Sequence, residues 1–174
     1  MKFLTKLIAA LAAATLAAGL SVGGGVRASE QGLKPEQAFK EWGDYFVGGV
    51  WTTTNARGKT EEMRCEWILE KSFIRLTWKI GDVSREEIHG IDPATGRWTI
   101  AGFDSKGRVY QGVGSSDKAG EWNYSVSGQG KDGPLSWKAR DVRSGPDEER
   151  FEMEEQIIGG KKLAPEVQIW KRKK

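Results

Sequence analysis

The chain has 174 residues, 38% of them hydrophobic and 29% charged, which suits one globular domain and excludes a disordered, collagen-like or coiled-coil protein. Three of its 27 Lys and Arg residues, Lys2, Lys6 and Arg27, lie in an acid-free leader. Without them bases and acids balance at 24 each, which leaves no clustered positive footprint for a nucleic acid.

The leader reads as an export signal. Lys2 and Lys6 form a positive start, Leu7 to Leu20 an apolar core of 14 residues, and Val26-Arg27-Ala28 a small-residue cleavage site ahead of Ser29. A membrane span needs about 20 apolar residues, so residues 1–28 are expected to be removed, leaving an exported protein of the periplasm or extracellular medium with no integral membrane span. The single cysteine, Cys65, has no internal disulfide partner. It alternates with Met63, Trp67 and Leu69 as a small buried hydrophobe does.

Residues 29–46 form an N-terminal segment with one short amphipathic helix. Pro35 suits its first turn, and Ala38, Phe39, Trp42, Tyr45 and Phe46 recur at helical spacing. From residue 47 to 174 the helical period is replaced by short runs of Val, Ile, Trp, Tyr, Phe and Thr. Turn chemistry such as Asp92-Pro93-Ala94-Thr95-Gly96 and Asp104-Ser105-Lys106-Gly107 interrupts them every eight to twelve residues. The spacing predicts an antiparallel meander of about ten strands, with no gap long enough for a crossover helix.

Where alternation is clean, one face is apolar. Met63, Cys65, Trp67 and Leu69 oppose Glu62, Arg64, Glu66 and Glu70; Ile74, Leu76, Trp78 and Ile80 oppose Arg75, Thr77 and Lys79. The same holds for Trp122, Tyr124 and Val126, for Leu135, Trp137 and Ala139, and for Phe151 and Met153. A long meander with one buried face closes most simply as an up-and-down barrel, so the expected fold is all-β, an antiparallel barrel of about eight to ten strands behind one short α-helix. The stretches Val83 to Ile91 and Trp98 to Gly114 fit neither face, because polar and apolar residues occur on both parities.

The eight Trp residues fall nearly one to each element. Core filling is the first reading, because large rings at strand period are usually interior. Lining of a ligand cavity is the second, and a sugar-binding platform, which needs Trp on the solvent face, is the third.

With the helix before it, Gly49-Val50-Trp51 resembles the lipocalin signature of the calycin superfamily, whose barrels hold small apolar ligands. The resemblance covers roughly Val47 to Arg172. It implies that Trp51 sits at a closed end of the barrel beneath a basic side chain of the last strand, Arg172 or Lys171. The stretches Gly90 to Trp98 and Phe103 to Gly107 are similar to those of uncharacterised exported bacterial proteins with a lipocalin-like barrel. The chain lacks a Thr-Asp-Tyr-like second motif, and about ten strands exceed the eight of a lipocalin.

Catalytic constellations are scarce. His89, the only histidine, would share a strand face with Glu87, and an acid–base pair acting on a bound lipid or isoprenoid is one reading. A surface or rim histidine is the plainer one. One His and one Cys fall short of a zinc site, and haem ligation by His89 is a minor option. No phosphate loop, Gly-x-Ser-x-Gly elbow or Cys-x-x-Cys pair is present, so no cofactor or metal is expected. The acidic run from Asp147 to Glu155 and the basic tail Lys171 to Lys174 read as solvated faces that pair with each other, the tail offering at most a weak contact with the cell envelope.

The expected function is therefore non-catalytic binding of a small apolar molecule in the barrel interior, lined by Met63, Trp67, Leu76, Trp78, Phe151 and Met153, with Trp51 and Arg172 closing the barrel. A barrel enzyme using Glu87 and His89 is the first alternative. An interaction module whose barrel is filled by its own rings is the second.

Overall fold

The computed structural model describes residues 32–55 and 58–174, so the leader lies outside the described residues. Helix α1 (Pro35–Phe46) precedes strands β1 (Val50–Thr54), β2 (Thr60–Ile68), β3 (Phe73–Ile80), β4 (Val83–Ile91), β5 (Trp98–Asp104), β6 (Val109–Lys118), β7 (Glu121–Gly130), β8 (Gly133–Arg143), β9 (Glu148–Ile158), β10 (Lys161–Leu163) and β11 (Glu166–Arg172).

From β1 to β10 each strand pairs antiparallel with its sequence neighbour, and β11 returns to β1 through Trp51↔Arg172 and Thr52↔Lys171. β10 and β11 both pair with β9 in one uninterrupted register, Lys161↔Ile158 to Leu163↔Gln156 and then Glu166↔Met153 to Lys171↔Glu148. They are two pieces of one strand, broken at Ala164-Pro165, where proline has no N–H for a ladder. The result is a closed antiparallel barrel of ten strands with one short helix before the first. Closure leaves no sheet edge to aggregate.

The helix starts at Pro35, whose missing N–H costs nothing in a first turn, and ends where Val47 turns extended and Gly48 takes φ +82°. Its inward face of Ala38, Phe39, Trp42, Tyr45 and Phe46 plugs one end of the barrel against β2, β4, β5 and β6. Close approach is possible because Gly43 has no side chain: a Cβ there would lie 2.5 Å from the Trp67 ring and 2.6 Å from Ile74. On the inner face of β6, Gly114 lies under the Trp98 ring in the same way, where a Cβ would meet it at 2.4 Å.

The strand pairs that resisted a one-face reading do so for a physical reason. β4 turns Arg85, Glu87 and His89 into the barrel, while the inner face of β6 is Tyr110, Gly112, Gly114 and Ser116 and the outer face carries exposed Val109 and Val113. Hydropathy is inverted there relative to burial. At the other extreme, Leu69 does not share the inner face of β2. The strand ends at Ile68, and Leu69, Glu70 and Lys71 form a turn with φ of 48°, 57° and 65° that leaves Leu69 exposed.

The two charge runs meet where β9 and β11 pair: Lys171 Nζ lies 3.4 Å from Glu148, and Arg172 Nε 3.6 Å from Asp147. The Lys171 pair is substantially exposed, and such contacts contribute about 0–1 kcal/mol. No helix among the described residues is long and apolar enough to cross a membrane.

Candidate functional site

The barrel is not filled by its own rings. A cavity of about 630 Å³ runs along its interior, from Trp42 and Phe46 at the helix-capped end to Asn55, Ile158, Leu163 and Pro165 at the opposite rim. Since the helix closes one end, the way in is the rim where the last strand is broken.

Of the residues singled out from the sequence, Met63, Leu76, Trp78, Phe151 and Met153 line this cavity. Trp67 does not. It lies under the helix, its ring 5.6 Å from Phe39 in an edge contact, and it anchors the plug instead of facing the lumen. Trp51 is fully buried at the plugged end, where its indole N–H donates to the Phe46 carbonyl at 3.0 Å. The Arg172 guanidinium stands 4.8 Å from the Trp51 ring centre and donates to the Tyr45 carbonyl. Gly49 is under the stem of the same arginine, where a Cβ would come within 3.0 Å. The glycine and the tryptophan of Gly49-Val50-Trp51 therefore serve one contact, the first by making room for Arg172 and the second by receiving it. Replacing Arg172 by methionine keeps the stem but removes the charge and the bond to Tyr45. The expected loss is about 1–2 kcal/mol, read by urea unfolding, and an unchanged midpoint would show that the stacked cation contributes nothing.

The floor of the cavity is polar, which the clean alternation of the other strands did not announce. His89 is 2% exposed and lies inside the barrel, not at its rim. Its Nδ1 accepts from the Trp98 indole N–H at 3.2 Å, and its Nε2 meets Glu87 Oε2 at 2.9 Å. An indole nitrogen only donates, so the imidazole proton is on Nε2 and points at the carboxylate. The Trp42 ring stacks on the imidazole at 4.7 Å and 13°. Glu87 also accepts from the Tyr110 hydroxyl at 2.7 Å. Both ring nitrogens and both carboxylate oxygens are thus engaged by the protein itself, which leaves no free nitrogen for a general base, a metal or a haem iron.

Beside this array, Asp141 accepts from the Tyr124 hydroxyl and, at 3.3 Å, from the Trp42 indole. Asp141 and Glu149 lie beside each other in the same dry pocket, where each shifts the titration of the other. Burial pushes Asp141 up to about 6 despite the donors around it. Burial also pushes Glu149 well above the ordinary carboxylate range, and the charge of Asp141 adds to it. Two adjacent carboxylates oppose each other's ionisation in a dry site, which is the second cause of the rise at Glu149. Burial likewise raises Tyr124 well above an ordinary phenol, with the Asp141 carboxylate as the next cause, so it remains a donor. Cys65 is buried, and burial raises its thiol far from a reactive thiolate.

Met63, Leu76, Phe151 and Met153 give the cavity apolar walls, Trp78 and Trp137 add aromatic ones, and Trp78, Tyr110 and Trp137 surround Arg85. Sequence reading missed Arg85, Tyr110, Asp141 and Glu149 as interior groups. A signal was present: Asp141 continues the parity of Trp137 and Ala139, and Glu149 that of Phe151 and Met153. Among the described residues no group of three or more His, Cys, Asp and Glu side chains is arranged to hold a metal ion. No protein-family model and no curated protein matches this sequence.

Proposed function

We infer that this is an exported, lipocalin-like binding protein that holds a small, largely apolar molecule in the barrel interior without covalent chemistry. The observation that carries the reading is the cavity of about 630 Å³, reached from one rim and walled by Met63, Leu76, Phe151 and Met153. Its size falls within the range of small-molecule sites, about 300–1,000 Å³, and its mixture of apolar walls with a few placed polar groups is what such sites use for affinity and orientation. Methionine supplies adaptable contact at two of the four wall positions. The placement of Arg172 over Trp51 supports the resemblance to lipocalins.

Catalysis by Glu87 and His89 has less support, because Trp98 and Tyr110 hold both groups in bonds that a reacting substrate would have to displace.

The neutral dye N-phenyl-1-naphthylamine tests the reading. It is expected to bind the protein saturably, with enhanced dye emission, and Met63→Trp, which fills the lumen from β2, is expected to weaken it by about tenfold or more. Native mass spectrometry of protein taken from its own host, before and after organic extraction, would show the resident molecule as a stoichiometric extra mass. A protein that binds no dye and carries no extractable mass would overturn the reading.

A further inference from the structure

Two arginines line the cavity, and they differ in one respect. Arg108 is paired, its Nε donating to Asp104 at 2.5 Å. Arg85, on the inner face of β4, makes no hydrogen bond and no ion pair with any described residue, and its Nε is buried. Its guanidinium instead lies among three rings, 5.5 Å from Trp78, 5.7 Å from Tyr110 and 5.4 Å from Trp137. Those rings belong to β3, β6 and β8, so the side chain reaches across the lumen.

Ring contacts satisfy the charge in part but accept none of the in-plane N–H donors. A guanidinium drawn into an apolar, aromatic site without an acceptor is costly unless something supplies one. Two inward carboxylates stand near it without bonding it: Glu87 takes the Tyr110 hydroxyl on one oxygen and His89 on the other, and Glu61, which accepts from Asn55 at 2.8 Å, acts on Arg85 only through its charge.

We propose that Arg85 is the recognition point for a carboxylate, so that the molecule held in the barrel is an amphiphilic monocarboxylic acid. The inference rests on the reading of the barrel as a binding cavity and names the chemistry of its ligand. A planar guanidinium takes a carboxylate through two parallel N–H···O bonds, and the three rings hold it in place for that fork. Register places Arg85 opposite Trp78 and nearer the rim than Glu87 and His89 on the same strand. The Glu87 and Asp141 carboxylates of the floor repel an anion, which keeps the head at the level of Arg85 and leaves the apolar body to Met63, Leu76, Phe151 and Met153. One unpaired guanidinium fork matches the two in-plane oxygens of one carboxylate.

The test compares dodecanoate, dodecanol and dodecylamine on the full mature protein, by displacement of N-phenyl-1-naphthylamine at neutral pH. Dodecanoate is expected to bind about tenfold or more tightly than dodecanol, and dodecylamine no better than the alcohol. In Arg85→Gln the ratio of dodecanoate to dodecanol affinity is expected to fall to about one, and in Arg85→Lys, which keeps the charge but not the fork, to an intermediate value. Should Arg85→Gln fail to fold, the order of the three ligands on the wild type and the lysine variant still decide. Equal binding of acid and alcohol, a preference for the amine, or a carboxylate preference that Arg85→Gln and Arg85→Lys both leave intact would overturn the proposal. If the dye binds and none of those outcomes favours the acid, the proposal alone falls. If the dye does not bind either, the binding reading falls with it.

Discussion

Trp42→Ala is expected to destabilise the protein by about 3–5 kcal/mol, the usual cost of deleting a fully packed large ring. The ring is 2% exposed and is the point at which the helix enters the barrel. It stacks on His89 at 4.7 Å, contacts Trp98 at 5.3 Å and Phe46 at 5.2 Å, and donates to Asp141. Alanine would leave a hole beneath the plug and withdraw one of the donors that stabilise the buried Asp141 carboxylate. Trp42→Phe keeps most of the packing and loses only the N–H, so about 1–2 kcal/mol is expected. Urea unfolding followed by far-ultraviolet circular dichroism measures both. A loss below about 1 kcal/mol for Trp42→Ala would show that the helix is not held by this ring.

The second large effect is a change in how stability depends on pH. Glu149 is pushed well above its ordinary value of 4.5 by burial and by Asp141, so the folded protein keeps its proton at pH values where the unfolded chain has lost it. Folding then binds a proton, and stability falls as pH rises above the unfolded value, by about 1.4 kcal/mol per pH unit until the folded value is reached. Asp141, raised from 3.8 to about 6, adds to the fall between those two values. Glu149→Gln cannot ionise, yet its amide keeps the size and the donor capacity of the protonated acid. The variant and the wild type are therefore expected to have similar midpoints near pH 4 and to diverge above it, with the variant more stable at neutral pH. Unfolding curves at half-unit steps from pH 4 to 8 would show this. Parallel curves for the two proteins would mean that Glu149 does not keep a proton in the fold at pH values where the unfolded chain has lost it.

These two predictions concern the plugged end and the floor. The rim and walls carry the binding proposals, so stability and affinity separate: Arg85 faces the lumen near the rim, whereas Trp42, Asp141 and Glu149 form the internal joint between helix and barrel. The barrel holds its polar groups in two tiers. In the lower tier Trp98, Tyr110, Tyr124 and Trp42 hold His89, Glu87 and Asp141. In the upper tier Arg85 keeps its donors for something else.

Much of the architecture was legible in the residues. Pro35 and the spacing of Ala38, Phe39, Trp42, Tyr45 and Phe46 marked the helix, because an amphipathic stripe has only one way to bury itself. Alternation in β2, β3, β7, β8 and β9 announced strands with a single buried face, and the Asx and glycine turns divided them, as at Asp92, whose carboxylate caps Ala94 N–H and the Thr95 hydroxyl while Gly96 takes φ +67°. Antiparallel neighbours joined by short turns determine a meander, and a meander with one apolar face closes.

What only the tertiary structure decided is which polar residues are inside. A period of two says that Arg85, Glu87 and His89 share a face but not which face, and a charged triplet reads as solvent-facing until its partners are known. Those partners are far away in sequence: Tyr110 for Glu87, Trp42 for both His89 and Asp141, and Trp137 for Arg85. The same limit misplaced Trp67, which alternates like its neighbours but lies at the level where the helix, not the lumen, is on the inner side. Local sequence sets parity and turns through the backbone; the depth of each residue along the barrel, and so whether it meets plug, floor or cavity, follows from the closed register of ten strands and from the helix that fills one end.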